Sequence, residues 1–252
     1  MGKIIVNKGL YTEITINRPE KHNALDSETL ELLSSAVIEA SSDEACRSII
    51  ISGAGGKAFC SGADVNYLSE ISDVRDAEYA FELFYSTYEC IWASGKPIIA
   101  AISGHCLGGG NELAMVCDFR IATPESTFGQ PEVKLGIIPG GGATYRLATL
   151  VGLQKARELI FTGKTISAKE ALDIGLIDSI TNGDSLMAEA EKLCSTMVSA
   201  SGKSIGYAKR AVNHGIGYDP VEEKKSFIDC FISGDAKEGI SAFLGHRKPK
   251  FD

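Results

Sequence analysis

Three consecutive glycines stand between an apolar run and a helical pattern near the middle of the chain. The segment runs from Gly104 to Ala114, with glycines at 108–110 and Glu112 two residues later, and it follows the apolar run Ile98 to Ile102. Glycine lets a ligand approach the backbone closely, and the first N–H groups of a helix lack partners within it. Such a loop can hold a developing oxyanion. A tight packing turn is the alternative, but it would not need Glu112 in an apolar helix.

Glycine is concentrated around this segment. The chain has 27 glycines among 252 residues, about 11%, against a usual share near 7%. Residues 53–142 hold 14 of these glycines, and the other 162 positions hold 13. The surplus therefore marks one region where the protein uses backbone more than side chains.

A second acidic residue lies twenty positions after Glu112, in the run Phe128 to Glu132. Residues 119–122 between the two are predicted to form a strand, so the chain can leave and return to one site. Two neighbouring carboxylates can act as acid and base because burial and mutual repulsion separate their pKa values. A loop glutamate is more often a solvated surface group, and spacing alone leaves both interpretations open.

The first half of the chain alternates strand and helix patterns, which is typical of an α/β core. The predicted strands cover residues 4–6, 11–16, 48–52 and 98–102. One predicted helix begins at Asp26 or Ser27, and a second covers residues 77–92. After about residue 150 the patterns are mostly helical, with a capping box at Ser167 and Glu170. We expect this helical end to add no strand to the sheet and to serve packing or assembly.

The loop from Gly53 to Ala58 fits the dinucleotide pattern G-x-G-x-x-[G/A] after a predicted strand. A dinucleotide site needs this loop to open a helix, yet residues 59–62 continue the loop. The Walker pattern fails as well, because Ile51 stands at its first glycine. A flexible connection and a nicotinamide-nucleotide site both stay open, and the second is the weaker alternative.

Charge and cysteine usage exclude several classes of protein. The 25 Lys and Arg against 33 Asp and Glu give a net charge of −8, whereas a nucleic-acid partner requires a basic face. Seven scattered cysteines without a C-x-x-C pair predict reduced thiols. The N-terminus lacks an apolar signal-peptide region, and no spacing suggests a metal site. We expect a soluble cytoplasmic protein with no membrane partner.

Four motifs occur together and in order. They are Asn17 to Leu25, Phe59 to Val65, the triple glycine with Glu112, and Phe128 to Glu132 with Pro139-Gly140. Together they resemble the enoyl-CoA hydratase/isomerase family, the crotonase superfamily, over nearly the whole chain. The resemblance implies a crotonase-like α/β fold, in which a spiral of ββα turns forms residues 1–195. Residues 196–252 would form a helical oligomerisation region that packs trimers, often paired into hexamers.

The resemblance also implies roles for individual residues. The backbone N–H groups of Ser61 and Gly109 would form an oxyanion hole for a thioester oxygen. Glu112 would activate water for attack at the β-carbon, and Glu132 would hold that water and protonate the α-carbon. The residues implied to bind the acyl-CoA substrate are Lys21, Ala63, Asp64, Val65 and Gly140.

The activity implied by this resemblance is hydration of a 2-enoyl-CoA to a 3-hydroxyacyl-CoA, with no cofactor beyond the coenzyme A of the substrate. Isomerases of the family generally use one carboxylate, so the pair of glutamates favours hydration. The alternatives are a Δ3,Δ2-enoyl-CoA isomerase, a hydratase of cyclic or branched enoyl-CoA, and an RNA-binding relative. Aromatic residues on the helix over 77–92 are predicted to line the acyl pocket or to be plain core.

Overall fold

The computed structural model describes residues 2–198, 201–214 and 220–250. The strands are β1 Ile4–Asn7, β2 Tyr11–Ile16, β3 Ser48–Gly53, β4 Ala58–Cys60, β5 Ile98–Ile102, β6 His105–Leu107, β7 Phe119–Ala122, β8 Thr127–Gly129, β9 Thr165–Ser167 and β10 Ser179–Ile180. The helices are α1 Ser27–Ser42, α2 Val65–Ser69, α3 Val74–Trp92, α4 Gly109–Val116, α5 Ala143–Val151, α6 Leu153–Thr162, α7 Ala168–Asp173, α8 Leu186–Val198, α9 Gly202–His214, α10 Pro220–Ser233 and α11 Asp235–Leu244.

The strands form two sheets, and the chain visits them in turn. The larger sheet has the order β1-β2-β3-β5-β7-β10, and the smaller has the order β4-β6-β8-β9. Only the pairs β1–β2 and β8–β9 among these are antiparallel. Each turn gives one strand to each sheet: β3 then β4, β5 then β6, β7 then β8. A helix follows the second strand of each turn, as α2, as α4 and as the 3-10 helix Glu132–Leu135.

The centre of the larger sheet is buried on both faces, which is why all of β5 and residues 49–51 of β3 are apolar. Successive side chains of a strand point to opposite faces. Accordingly, Ile49 and Ile51 of β3 join the main core on one face. Ile50 of β3 and Ile99 of β5 pack on the other face with α8, through residues such as Cys194.

Local capping determines where several helices begin. Asp26 is the N-cap of α1, and its side chain accepts a hydrogen bond from the Thr29 N–H. Both halves of the predicted capping box, Ser167 and Glu170, are present at the start of α7. These two predictions are confirmed, and each satisfies N–H groups that the first turn of a helix leaves without partners.

The expectation that the chain adds no strand after residue 150 is wrong. β9 pairs with β8 at an edge of the smaller sheet, and β10 pairs with β7 at an edge of the larger one. Strands of two or three residues are too short to display an alternating pattern, so the sequence does not reveal them. The same reason applies to β4, β6 and β8, each three residues long.

The glycine loop after β3 leads into a strand and not into a helix. Residues 58–60 form β4, so the loop has no helix N-terminus on which a pyrophosphate could rest. A Cβ on Gly53 would lie 2.3 Å from the Phe59 carbonyl oxygen, which explains the need for glycine there. The dinucleotide alternative is therefore not supported.

The last helices pack against the spiral. α10 contacts α3, and α11 contacts α2 and the 3-10 helix Glu132–Leu135. A Cβ on Gly239 of α11 would lie 2.2 Å from the Leu135 carbonyl oxygen, so glycine permits this close approach. The helical end is thus in direct contact with the segment that carries Glu132.

All seven cysteines are free thiols, and five of them are buried. Burial raises the pKa of the Cys60 and Cys117 thiols to about 12. Such thiols remain protonated near neutral pH and act as small apolar groups in the core.

Candidate active site

Seven of the nine predicted site residues, all except Lys21 and Gly140, follow the carboxyl ends of three adjacent parallel strands. Residues 61–65 come after β4, residues 108–112 after β6, and residues 131–132 after β8. Because β4, β6 and β8 run parallel, these three loops emerge at the same edge of the smaller sheet. Motifs that are about 20 to 70 residues apart in the chain therefore meet at one place.

A single cavity of about 690 Å³ collects these loops. All nine residues that the sequence singles out line it, namely Lys21, Ser61, Ala63, Asp64, Val65, Gly109, Glu112, Glu132 and Gly140. A cavity of this size is within the range of small-molecule sites.

Glu112 lies in the first turn of α4, whose residues are all buried. Its Oε1 accepts hydrogen bonds from the N–H groups of Gly141, at 2.8 Å, and Ala143, at 3.0 Å. Two backbone donors at these distances fix the direction of the carboxylate. A Cβ on Gly141 would lie 2.2 Å from the Tyr88 ring and 2.8 Å from Glu112 Oε2, so position 141 has no room for a side chain.

Glu132 begins the 3-10 helix that follows β8 and is 8% exposed. Its carboxylate lies over the first glycine of the triple. A Cβ on Gly108 would be 3.1 Å from Glu132 Oε1, and Gly108 has a φ of +52° that favours glycine. The Gly108 N–H donates to the Gly129 carbonyl, which joins the loops after β6 and β8. The fold thus brings both carboxylates to one buried cavity.

The two backbone amides implied as oxyanion donors differ in their hydrogen bonding. Gly109 is at the start of α4 and lines the cavity. The Ser61 N–H, by contrast, donates to the His22 carbonyl oxygen at 3.1 Å. The Ser61 amide is therefore already engaged in the fold.

The Ala63 amide is in a better position than the Ser61 amide to serve the cavity. Gly62 has a φ of +106°, which turns the chain between Ser61 and Ala63. Leu25 bonds to the residues on both sides of Ala63, donating to the Gly62 carbonyl and accepting from the Asp64 N–H. The backbone N–H of Ala63 therefore points away from Leu25. The Ala63 nitrogen lies 3.5 Å from the position that a Cβ on Gly109 would take.

Tyr88 packs behind the glycine loops. Its hydroxyl donates to the Gly109 carbonyl oxygen at 2.6 Å. Burial, and next the charge of Glu112, raise the pKa of Tyr88 well above its usual value. The hydroxyl therefore stays protonated and remains a donor that holds the first turn of α4.

The loop that carries Lys21 is held by buried polar side chains that the sequence reasoning did not single out. The Asn23 side chain donates to the carbonyls of Ala54 and Ala58 at 3.0 and 2.7 Å. The Arg18 guanidinium donates to the Ala24 carbonyl. His22 and Asn23 both have a positive φ, 51° and 57°. The Asn17 to Leu25 motif thus attaches the loop to the spiral. The polar residues within this motif are the sequence signal that could have revealed this role.

Asp64 has a structural role that the sequence did not predict. Its carboxylate pairs with Arg18 at 2.9 Å and accepts a hydrogen bond from the Asn66 N–H as the N-cap of α2. Although Asp64 lines the cavity, both of its oxygens are bonded within the protein. We therefore do not assign its carboxylate to substrate binding.

The cavity wall is charged and exposed in one part and aromatic and buried in another. Lys21 and His22 are exposed. Phe81 and Phe84 of α3 and Phe227 of α10 are at most 7% exposed. The sequence reasoning missed Phe227, because nothing in the local pattern of α10 indicates which distant loop it covers.

Within the described part of the chain, no three His, Cys, Asp or Glu side chains are grouped so as to hold a metal ion. In the same residues, no helix is both long enough and apolar enough to cross a membrane.

Comparison with known proteins agrees in sequence and in fold. Residues 7–252 match the family model described as enoyl-CoA hydratase/isomerase. The chain is 41% identical over 240 residues to the crotonyl-CoA hydratase of Syntrophomonas wolfei, covering 94% of this chain and 92% of that protein. It is 38% identical over 249 residues to the short-chain-enoyl-CoA hydratase of Clostridium acetobutylicum, covering 97% and 95%.

Solved structures extend this likeness to three dimensions. The enoyl-CoA hydratase from Bacillus anthracis matches with a TM-score of 0.82 and 34% identity, covering 99% of both chains. EchA1_1 from Mycobacterium paratuberculosis matches with a TM-score of 0.87 and 31% identity, covering 99% of this chain and 98% of that one. The predicted crotonase-like α/β fold is therefore confirmed, and the chain belongs to the enoyl-CoA hydratase/isomerase family.

Proposed function

We propose that the protein is an enoyl-CoA hydratase, which adds water across the 2,3 double bond of a 2-enoyl-CoA to give a 3-hydroxyacyl-CoA. The observation that carries this proposal is the presence of two buried carboxylates, Glu112 and Glu132, beside the glycine backbone of residues 108–110 in one cavity. The hydratase names of the relatives from Syntrophomonas wolfei and Clostridium acetobutylicum support it.

The glycine loop stabilises the charge that develops in the reaction. As water adds to the β-carbon, negative charge gathers on the thioester oxygen. The Gly109 N–H donates to this oxygen, and the Ala63 N–H is the second donor, because His22 already engages the Ser61 amide. Fixed donors of this kind need no reorganisation during the reaction, and loss of one typically costs about 3 kcal/mol of transition-state stabilisation.

The two carboxylates divide the proton transfers between them. Glu112, oriented by the amides of Gly141 and Ala143, takes a proton from the attacking water as its oxygen bonds to the β-carbon. Glu132, which starts the cycle protonated, holds the same water and gives its proton to the α-carbon. A proton then passes from Glu112 to Glu132 to restore the starting state. Acid-base steps of this type contribute about a hundredfold to ten-thousandfold each.

Crotonyl-CoA hydration by matched variants tests these roles. We expect Glu112→Gln and Glu132→Gln each to lower kcat by about a hundredfold or more, with an unchanged folded state by circular dichroism. Glu125→Gln, which alters an exposed glutamate in the loop between β7 and β8, is the control and is expected to retain wild-type turnover. Wild-type rates in both site variants would contradict the assignment.

Product analysis separates hydration from its alternatives. Faster conversion of a 3-enoyl-CoA to the 2-enoyl isomer than hydration of crotonyl-CoA would identify an isomerase. Turnover confined to cyclic or branched enoyl thioesters would identify a hydratase of those substrates. Salt-sensitive RNA binding without any turnover would identify an RNA-binding protein. The net charge of −8 disfavours this alternative, because RNA binding requires a basic surface.

The proposal also includes the assembly and setting that the family resemblance implies. We assign residues 196–252 to packing of a homotrimer or a dimer of trimers. We place the enzyme in the cytoplasm and assign it to acyl-chain breakdown. Apolar side chains that are more than 60% exposed on α9 and α10, Tyr207, Val212 and Ile232, support an interface there. Analytical ultracentrifugation tests the assembly, and a monomer at micromolar concentration would contradict it. Cell fractionation tests the cytoplasmic location.

A further inference from the structure

Phe227 occupies a defined position in the aromatic part of the cavity wall. It lies on α10 and is 6% exposed. Its ring lies directly over Gly140, since a Cβ on that glycine would be 2.8 Å from Phe227 Cδ2. The ring also contacts Phe81 of α3, with centroids 5.9 Å apart, and Phe231 of α10, with centroids 5.3 Å apart. Contacts on three sides hold the ring where it is.

The aromatic wall begins beside the reacting atoms of the proposed reaction. Phe84 Cε1 lies 3.4 Å from the position of a Cβ on Gly109, the proposed oxyanion donor. Gly140, under the Phe227 ring, precedes Gly141, whose N–H binds Glu112. An acyl chain with its thioester oxygen at Gly109 and its β-carbon at Glu112 therefore meets aromatic rings directly beyond the double bond.

We infer that Phe227 closes the acyl part of the cavity and restricts the enzyme to short acyl chains. This inference rests on the proposed function and adds a specificity-determining residue to it. The ring fills the space that the distal carbons of a longer chain require, and its packing against Phe81 and Phe231 opposes its displacement. Interior side chains are close-packed, so a longer chain would have to move several of them together.

The test compares crotonyl-CoA with trans-2-octenoyl-CoA as substrates of the full-length protein. We expect wild type to favour crotonyl-CoA in kcat/KM, and Phe227→Ala to raise the ratio of octenoyl to crotonyl kcat/KM by at least about tenfold. One methylene in an apolar pocket can change discrimination by that much. Phe227→Leu keeps part of the volume, is less disruptive to folding, and is expected to give a smaller shift in the same direction.

The control is Phe161→Ala, which removes a ring of α6 that is 72% exposed and does not line the cavity. Its octenoyl-to-crotonyl ratio is expected to match wild type. An unchanged ratio in both Phe227 variants, or a wild-type preference for octenoyl-CoA, would overturn the inference.

Binding of saturated thioesters separates this inference from the proposed function. Calorimetric titration with butyryl-CoA and octanoyl-CoA requires no turnover, and Phe227→Ala is expected to strengthen octanoyl-CoA binding relative to butyryl-CoA by about tenfold or more. If wild type hydrates neither enoyl substrate, the proposed function fails, and the titration still decides whether Phe227 limits the acyl chain.

Discussion

The spiral and the C-terminal helices contribute to the same cavity in different ways. The loops after β4, β6 and β8 supply backbone amides and two carboxylates, held by hydrogen bonds and by glycines that leave no room for a side chain. Among the residues whose side chains the structure describes, helices α10 and α11 supply apolar side chains alone, Phe227, Phe243 and Leu244. The amides and carboxylates tolerate displacements of only a few tenths of an ångström, whereas apolar packing accepts other side chains of similar volume. We therefore expect the proposed reaction to depend on the spiral, and the choice of substrate to depend on both regions.

The largest expected effect of a single methyl group is in the spiral, at Gly141. In Gly141→Ala the new Cβ would lie 2.2 Å from the Tyr88 ring and 2.8 Å from Glu112 Oε2, so the loop must move and the N–H bonds to Glu112 are lost. We expect crotonyl-CoA hydration to fall by about a hundredfold or more. Gly183→Ala, where no described atom lies within 4 Å of the new Cβ, is the control and is expected to retain activity. Equal rates of crotonyl-CoA hydration in Gly141→Ala and Gly183→Ala would contradict the expectation that the loops of the spiral require exact positions.

A smaller and different effect is expected where α9 attaches to the spiral. Lys209 is 8% exposed, and its Nζ donates to Asp118 at 2.8 Å and to the carbonyls of Ile91 and Lys96. Lys209→Met leaves the partly buried Asp118 without this cation, at a cost of about 3 kcal/mol. We expect faster hydrogen exchange in α9 and unchanged kcat for crotonyl-CoA.

Lys203→Met, at an exposed position of the same helix, is the matched control for this substitution. It is expected to leave hydrogen exchange in α9 as in wild type. A fall in kcat in Lys209→Met, at a temperature where the spiral stays folded, would show that the two regions are coupled more tightly than their contacts indicate.

The smallest effect concerns pH and belongs to the N-terminal part of the spiral. Burial alone would raise the pKa of Asp26, but hydrogen bonds from Lys3 and Thr29 and the charge of Arg18 outweigh it and lower the pKa to about 2. A lowered pKa in the folded state stabilises the protein above the unfolded value near 4, and this stabilisation is lost as pH falls towards 2. Asp26→Asn keeps a residue that can cap α1 but removes the charge.

Urea unfolding of wild type and Asp26→Asn at several pH values measures this contribution. We expect wild type to be more stable by about 1 kcal/mol at pH 7, after allowance for solvent screening, and the difference to shrink between pH 4 and pH 2. Asp173→Asn, in an exposed pair with Lys169, is the control and is expected to show no such narrowing. A gap that is constant with pH would contradict the assigned titration.

The sequence predicts the parts of the fold that have long, regular patterns. The apolar runs at Ser48–Gly53 and Ile98–Ile102 are strands, and the capped helices begin where side-chain chemistry indicates. The strands of the smaller sheet escape prediction because three residues carry no periodic signal, although they bring the site together. Motif resemblance singled out candidate site residues without those strands, since motifs do not depend on periodicity, and the structure places these candidates around one cavity.

Two details of the site depend on backbone direction and distant partners, which local patterns do not carry. Whether Ser61 or Ala63 turns its N–H towards the cavity follows from the φ of Gly62 between them. The carboxylate of Asp64 is bonded to Arg18, 46 residues earlier in the chain. Phe227 is a further case, because only the path of α10 over Gly140 gives it a place in the site.

The two-sheet spiral separates the part of the molecule that maintains the fold from the part that can vary in evolution. The larger sheet, whose central strands are buried on both faces, carries most of the strand pairing, while the candidate functional groups follow three-residue strands at one edge of the smaller sheet. A substitution in one of these loops can change a proton donor or an acyl contact while leaving the pairing of β2, β3, β5 and β7 intact. New reactions can therefore arise in this architecture one loop at a time, while the larger sheet stays unchanged.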